Sequence, residues 1–476
     1  MTPRVSFTGG LTTALLLSSL SLGGCLPFHR LKMKEVHHDS AQREARNPVI
    51  LLHGFMGAKL QHVRTQRSAW GRVRNLFWKG KGDDLALPID QEALLANRDN
   101  LVPYEICDSV GGVDFYSPIL RALREVAGYD LGDIEHPHPG ENLYVFAYDW
   151  RRDNVESAQA LGKAIERIVE AHGRPDMKID LVAHSMGGLV ARYYVAYGTA
   201  DVLDQNPLPA PSYAGVRNID KVVLIGTPNE GSLTAFRVMH LGITRSLSPE
   251  ALFTMPSIYQ LFPGREARPF VDAEGRVLPI SLYDADNWVK YGWSAYQPHI
   301  LAKMRSKLPR RERKSAESFQ RMREQMHAFL GAALERADRF HNALSQADGH
   351  QGGVRLYSFG SDCIPTQVRA VLQEESGIWK LAFSAEAAHT DPQYTDLVRD
   401  LLFMPGDGSV TLASLLDQDP TAPPSAEPAL PFEQTVFLCA QHGFLTRSPV
   451  FQNNLFHVLA NGPALQEGET HPLASR

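Results

Sequence analysis

Ser185 stands in Ala183-His184-Ser185-Met186-Gly187-Gly188, directly after the apolar run 179–183 and ahead of helical spacing over 188–197. A serine hydroxyl attacks a carbonyl efficiently only when a base takes its proton and donors receive the charge that forms on the carbonyl oxygen. Both needs are met when the serine sits on a sharp turn from a strand into a helix, with small residues on either side so that the two do not clash. Ala183 and Gly187 meet that demand, Ala183 standing where a glycine is usual. The turn also aims the Met186 N–H at the developing oxyanion. A serine in an ordinary strand-to-helix turn would need neither small flank.

A second oxyanion donor is expected from the loop after the first strand. His53-Gly54-Phe55-Met56-Gly57 fits, with the Phe55 N–H as the donor and His53 holding the loop rather than acting as a base. The base and acid should follow the serine in the order serine, acid, histidine. Two acids qualify. Asp362 lies just past the strand candidate 354–359, and Asp407 lies in the glycine turn Gly406-Asp407-Gly408-Ser409-Val410. His442, in Gln441-His442-Gly443-Phe444, follows the last strand candidate 436–438 and precedes a C-terminal helix; His389, His457 and His471 lack that setting. His442 would take the Ser185 proton, and the acid would hold the imidazole in one tautomer. No metal or cofactor is expected. His37-His38 and His136-Pro137-His138 have no ligand pattern around them, and phosphate-loop, dinucleotide and H-E-x-x-H motifs are absent from the sequence.

The elements that must carry these residues are legible as short apolar runs stopped by turn residues: 48–52, 143–147, 179–183 and 222–225. Such runs suit strands buried on both faces. Between them, 154–172 has helical spacing, with Asn154 as N-cap and Gly173 as stop. Strands alternating with helices predict an α/β fold with a mostly parallel central sheet flanked by helices. The alternation ends near residue 232. Residues 233–350 read as a helical cap or lid insertion, with a stripe of Phe319, Met322, Met326, Phe329, Ala333 and Leu334 that either packs on the core or touches lipid. The expected division is therefore 47–232 and 351–465 as two parts of one core, 233–350 as the cap, and 466–476 as a tail. In 476 residues, 48 Lys+Arg against 53 Asp+Glu leave a net charge of −5, with 43% hydrophobic and 21% charged residues. That balance excludes a disordered chain and a dedicated nucleic-acid binder.

Residues 1–24 have the form of a secretory signal: Arg4, then an apolar stretch diluted by Ser, Thr and Gly, without acidic residues. Leu22-Gly23-Gly24-Cys25 looks like a bacterial lipobox, which implies lipid attachment at Cys25 and a tether over 25–46; an ordinary cleaved signal with a chance cysteine is the alternative. The expectation is export across the inner membrane and anchoring at the periplasmic face of the outer membrane or the cell surface. Of the three remaining cysteines, Cys107, Cys363 and Cys439, at most one pair can form. Cys363 with Cys439 is one choice that the sequence leaves open.

Taken together, these residues resemble the lecithin:cholesterol acyltransferase family, which includes lysosomal phospholipases and bacterial relatives. The matching segments are 48–59 (PVILLHGFMGAK), Trp70 and Trp78, 148–151 (YDWR), 183–188, Thr227-Pro228, 255–263 (MPSIYQLFP), 406–410 and His442, in the family's order. The resemblance implies an α/β-hydrolase fold with a cap, and acyl transfer from a lipid ester at a membrane surface without a cofactor. It also favours Asp407, in the family's G-D-G motif, over Asp362. His53-Gly54 in place of Pro-Gly, and Ala183 in place of Gly, depart toward generic bacterial lipases and leave water or a lipid alcohol open as acceptor. An esterase or amidase on soluble substrates, and a catalytically silent surface lipoprotein, are the competing readings.

Overall fold

The computed structural model describes residues 46–71, 82–89, 99–107, 109–110, 113–243, 247–347, 352–423, 425 and 427–460. The signal segment, Cys25, Trp78 and the tail 466–476 lie outside the described residues.

The apolar runs become strands of one sheet: β1 (Val49–Leu52), β2 (Leu143–Phe146), β3 (Ile179–His184), β4 (Ile219–Ile225), β5 (Arg355–Gly360) and β6 (Phe432–Phe437). Their order is β6-β5-β4-β3-β1-β2, and every neighbouring pair is parallel. β1, β3 and β4 are buried along their whole length because both faces are covered. Successive side chains point to opposite faces, so Val49, Leu51, Val182 and Val223 enter one core while Ile50, Leu52, Leu181 and Val222 enter the other. The chain goes from β1 out to β2, then returns across β1 to β3 and continues the other way. That reversal opens a crevice at the carboxyl ends of β1 and β3, where ligands bind in open parallel sheets.

Helix α1 (Asn154–His172) follows β2, and α2 (Met186–Tyr197) follows β3. The expected N-cap of α1 shifts by one residue: the Asp153 carboxylate accepts the Val155 N–H, and Asn154 is the first helical residue. A carboxylate at that position receives an orphan amide and favours the helix dipole. Gly173 ends the helix with φ +61°, as expected.

β6 begins four residues earlier than the apolar run 436–438 suggested. It is an edge strand and half-exposed, so Glu433, Gln434 and Thr435 are tolerated there and hide it from a search for apolar runs.

Between β4 and β5 lie α3 (Leu233–Leu241), several short helices, and α4 (Ala316–Gln346). The apolar stripe of α4 faces inward. Met326, Phe329, Ala333 and Leu334 are buried, and Phe319 and Met322 are half-buried. The Arg336 guanidinium, itself buried, bonds Asp153 and Asp201 at 2.7 Å each, which fastens α4 to the start of α1. Four of the five residues of the basic run 310–314 are exposed. A second excursion, between β5 and β6, contributes strands of its own. Residues Ile364–Gln367 pair antiparallel with Phe403–Gly406, and Ala370–Glu375 pairs with Ile378–Ala382 and, in parallel, with Phe270–Val271. That small sheet joins the two excursions. Helix α5 (Pro449–Ala460) closes the described chain. No described helix is long and apolar enough to cross a membrane.

Candidate active site

Ser185 sits between β3 and α2 with φ +56° and ψ −125°, a backbone that a non-glycine residue adopts only when its surroundings impose it. Its amide donates to Ile225 O at 2.8 Å, which ties the turn to β4. Gly187 must lack a side chain, because a Cβ there would lie 2.5 Å from His53 O. Close packing of the turn against the β1 loop therefore accounts for the small residue after the serine. Ala183 is accommodated in the core with no exposure.

The structure brings Ser185, His442 and Asp407 together. Ser185 Oγ lies 2.9 Å from His442 Nε2, and His442 Nδ1 lies 2.7 Å from Asp407 Oδ2. The carboxylate dictates the tautomer: Nδ1 carries the proton and donates to Asp407, so Nε2 is free to accept from the serine. Asp407 is 2% exposed. Its other oxygen accepts the Ser409 and Val410 amides at 2.9 and 2.7 Å, which is what the glycine turn 406–410 is built to allow. Asp362, the other acid considered, lies in an exposed turn, and His442 takes Asp407 instead. Cys363 and Cys439 are bonded to each other. The bond joins the start of the strand that pairs with the acid's strand to the loop three residues ahead of His442.

The loop after β1 packs on Ser185. A Cβ on Gly54 would fall 2.7 Å from Ser185 Cβ. Gly54 O accepts the Gly57 N–H at 3.0 Å and the His53 Nδ1–H at 2.8 Å. A trans peptide holds its C=O and the following N–H in one plane on opposite sides, so these bonds fix the direction of the Phe55 N–H. Among the described residues, neither the Phe55 nor the Met186 amide has an acceptor within the protein.

His53 is fully buried and works as a brace. Its Nε2 accepts the Tyr148 N–H at 3.1 Å, and its ring stacks on that of Tyr148 at 4.0 Å. Burial holds its pKa down at about 4, so it stays neutral. The YDWR segment is thereby explained. Tyr148 Oη donates to His53 O and Trp150 Nε1 to Ala58 O, while the buried Arg151 is paired with Asp149 and Asp99. The 255–263 segment is tied in too, by Ser257 Oγ to Trp150 O and Gln260 Nε2 to Asp153.

Ser185 opens into a cavity of about 490 Å³ whose walls are mainly apolar, among them Phe55, Trp70, Val238, Ile258, Leu261 and Val410. Cys107, which is buried, also lines it. Ser232 caps α3 and donates to Ser409 O, so the start of the 233–347 segment is bonded to the acid's turn. No group of three or more His, Cys, Asp or Glu among the described residues could hold a metal ion. Two side chains at the centre were given no role from sequence, Tyr116 and His184. Tyr116 belongs to no motif, and His184 was visible only as filler beside the serine.

The lecithin:cholesterol acyltransferase family model matches residues 137–324. Comparison with curated proteins gives no match. A chain of the Tle4–Tli4 complex crystal structure is 16% identical, with 88% of this chain and 98% of that chain covered, and a TM-score of 0.54. The mature form of Bacillus licheniformis lipase BlEst2 (10% identity, 88% and 93% covered, TM-score 0.33) and EstA from Clostridium botulinum (13% identity, 90% and 91% covered, TM-score 0.35) align more loosely. The parallel sheet with its flanking helices gives this chain an α/β-hydrolase fold, and its segment 137–324, which contains Ser185, matches the lecithin:cholesterol acyltransferase family model.

Proposed function

We propose that this protein is a serine acyl-ester enzyme that acts on lipid esters through an acyl-Ser185 intermediate. The observation that carries the reading is the Ser185–His442–Asp407 chain, at 2.9 and 2.7 Å, opening into an apolar cavity of about 490 Å³. The cavity falls in the usual range for small-ligand sites, and apolar walls suit an acyl chain. In the first step His442 Nε2 takes the Ser185 proton as Oγ bonds to the ester carbonyl carbon, and the Phe55 and Met186 amides receive the oxyanion. The tetrahedral intermediate expels the alcohol, which leaves with the proton from His442. Water or a lipid alcohol then enters, gives its proton to the same nitrogen and attacks the acyl carbon. The oxygen of Ser185 leaves and regains that proton. Asp407 stays ionised throughout and stabilises the imidazolium.

Incubation with a labelled phospholipid, with and without a sterol or diacylglycerol, tests the reading. Free fatty acid alone identifies a hydrolase, and a new ester identifies a transferase. Labelling of Ser185→Ala by a fluorophosphonate would contradict the assignment. Lipid attachment at Cys25, which would hold the enzyme at a membrane surface, is part of the same proposal. Cys25→Ser should release the protein from the membrane fraction, and continued anchoring would refute it.

A further inference from the structure

Beside Ser185, four residues from four separate segments form one directed hydrogen-bond chain. The Gly54 amide, after β1, lies 2.9 Å from Tyr116 Oη. Tyr116 Oη lies 2.8 Å from His184 Nδ1. His184, the last residue of β3, places Nε2 3.1 Å from His442 O. The direction of every bond is forced. An amide only donates and a carbonyl only accepts. Tyr116 therefore accepts from Gly54 and donates to His184 Nδ1, which leaves the His184 proton on Nε2 to reach the His442 carbonyl.

The chain joins parts of the site that no secondary structure joins. At one end is Gly54, whose own carbonyl sets the direction of the Phe55 N–H. At the other end is the main chain of His442, whose amide donates to Asp407 O at 2.9 Å. The base is thus held at its side chain by Asp407 and Ser185, and at its backbone by Asp407 and His184. Tyr116 is 4% and His184 7% exposed, so water does not compete for these bonds. An unmade bond there costs more than it would at the surface.

We propose that Tyr116 and His184 are positioning residues for the acyl-transfer reaction: they keep the oxyanion loop and the His442 loop in one frame with Ser185. The proposal rests on the serine-enzyme reading above. Neither residue moves a proton in the reaction. Burial, and then the neighbouring His442, hold the pKa of His184 down at about 3, and burial raises that of Tyr116, so both remain neutral over the working range. Their effect is on geometry, and it is felt most where charge develops, in the transition state.

The test uses Tyr116→Phe, His184→Gln and the double variant, with competent serines counted by fluorophosphonate titration. If the wild-type protein itself is neither titrated nor active on esters, the serine-enzyme reading fails and the positioning proposal with it. Given a titratable wild type, kcat per titrated serine should fall about 10- to 100-fold in each single variant, since a misplacement near 1 Å costs about 100-fold. KM should stay within about threefold, because the substrate's ground state does not use the chain. The inhibition constant of an alkyl boronic acid, which places an anionic tetrahedral centre on Ser185, should rise by the same factor as kcat falls. The double variant should be scarcely worse than the worse single one, because the two residues act as a unit. A role confined to folding would reduce the number of titrated serines and leave turnover per serine and boronate inhibition unchanged; that result overturns the proposal, as does a loss confined to KM. Should Tyr116→Phe fail to fold, His184→Gln carries the same readings, because it keeps a donor for the His442 carbonyl while replacing the ring nitrogen that accepts from Tyr116.

Discussion

Replacing Gly54 by alanine probes how tightly the oxyanion loop is pressed on the nucleophile. The new Cβ would lie 2.7 Å from Ser185 Cβ, 3.2 Å from its Oγ and 3.3 Å from His184 O. Carbon atoms rest at about 3.5–4.0 Å, so loop and serine must part by roughly 1 Å. Neither side yields cheaply. Ser185 is held at φ +56° with its amide bonded to Ile225, and Gly54 is bonded through its amide to Tyr116 and through its carbonyl to Gly57. Gly54 does not use left-handed backbone, so alanine brings no conformational penalty of its own. The effect is therefore displacement of the Phe55 N–H from the oxyanion. Removal of one such donor costs about 100- to 1000-fold, or about 2.7–4 kcal/mol. The expected result is a loss of that size in kcat/KM on a short p-nitrophenyl ester, carried by kcat. The rate of fluorophosphonate labelling should slow in parallel, because its P–O oxygen needs the same donors. Thermal unfolding measured alongside separates lost geometry from lost fold. Wild-type turnover per folded molecule in Gly54→Ala would refute the assignment of this loop as an oxyanion donor.

Other perturbations have equally definite outcomes. Asp407→Asn should lower kcat about 10⁴-fold, because an amide would donate to His442 Nδ1 and leave the proton on Nε2, facing Ser185; Asp362→Asn, in an exposed turn, should change turnover less than twofold, and equal losses would move the acid. Cys363→Ser should lower stability by up to about 4 kcal/mol by freeing a loop closed over a separation of 76 residues; an unchanged urea midpoint would contradict this. Stability should also rise with pH between about 4.5 and 6. Burial holds His53, His240 and His341 near pKa 4 and His184 near 3, so the unfolded chain, with histidines near 6.5, binds four protons in that window that the folded one does not. Each such contribution is complete above the unfolded value and is lost as pH falls toward the folded one. Burial raises Asp180 to about 6 and Glu230 to about 7, and these two oppose the trend because the folded state keeps their protons. The balance of about two protons predicts a slope of about 2.7 kcal/mol per pH unit. Urea midpoints that stay flat from pH 4.5 to 6 would refute it.

Much of the centre of this molecule is local in sequence, and what is local could be read. Parallel strands covered on both faces must be nearly all apolar, so β1 to β4 stand out as runs. The turn at Ser185 needs small neighbours, so the nucleophile stands out as a motif. The glycine turn at Asp407 is likewise a short-range device. Strands that break the apolar rule were hidden, as β6 was at the sheet edge and as were the short strands of the second excursion, where half-exposed faces admit Glu, Gln and Lys.

The sequence by itself determined the class of fold, the serine on its elbow, and a short list of acids and histidines in a workable order. Only the tertiary structure shows which of them it gathers beside Ser185. Asp407 reaches His442 across 35 residues and His442 reaches Ser185 across 257, and no periodicity records such distances. The same holds for the pairing of Cys363 with Cys439, for the anchoring of α4 through Arg336, and for the bonds of Tyr116 and His184. Motifs encode what the backbone must do within a few residues. Which side chains meet is set by how the strands are ordered and by which loops that order gathers at one edge of the sheet.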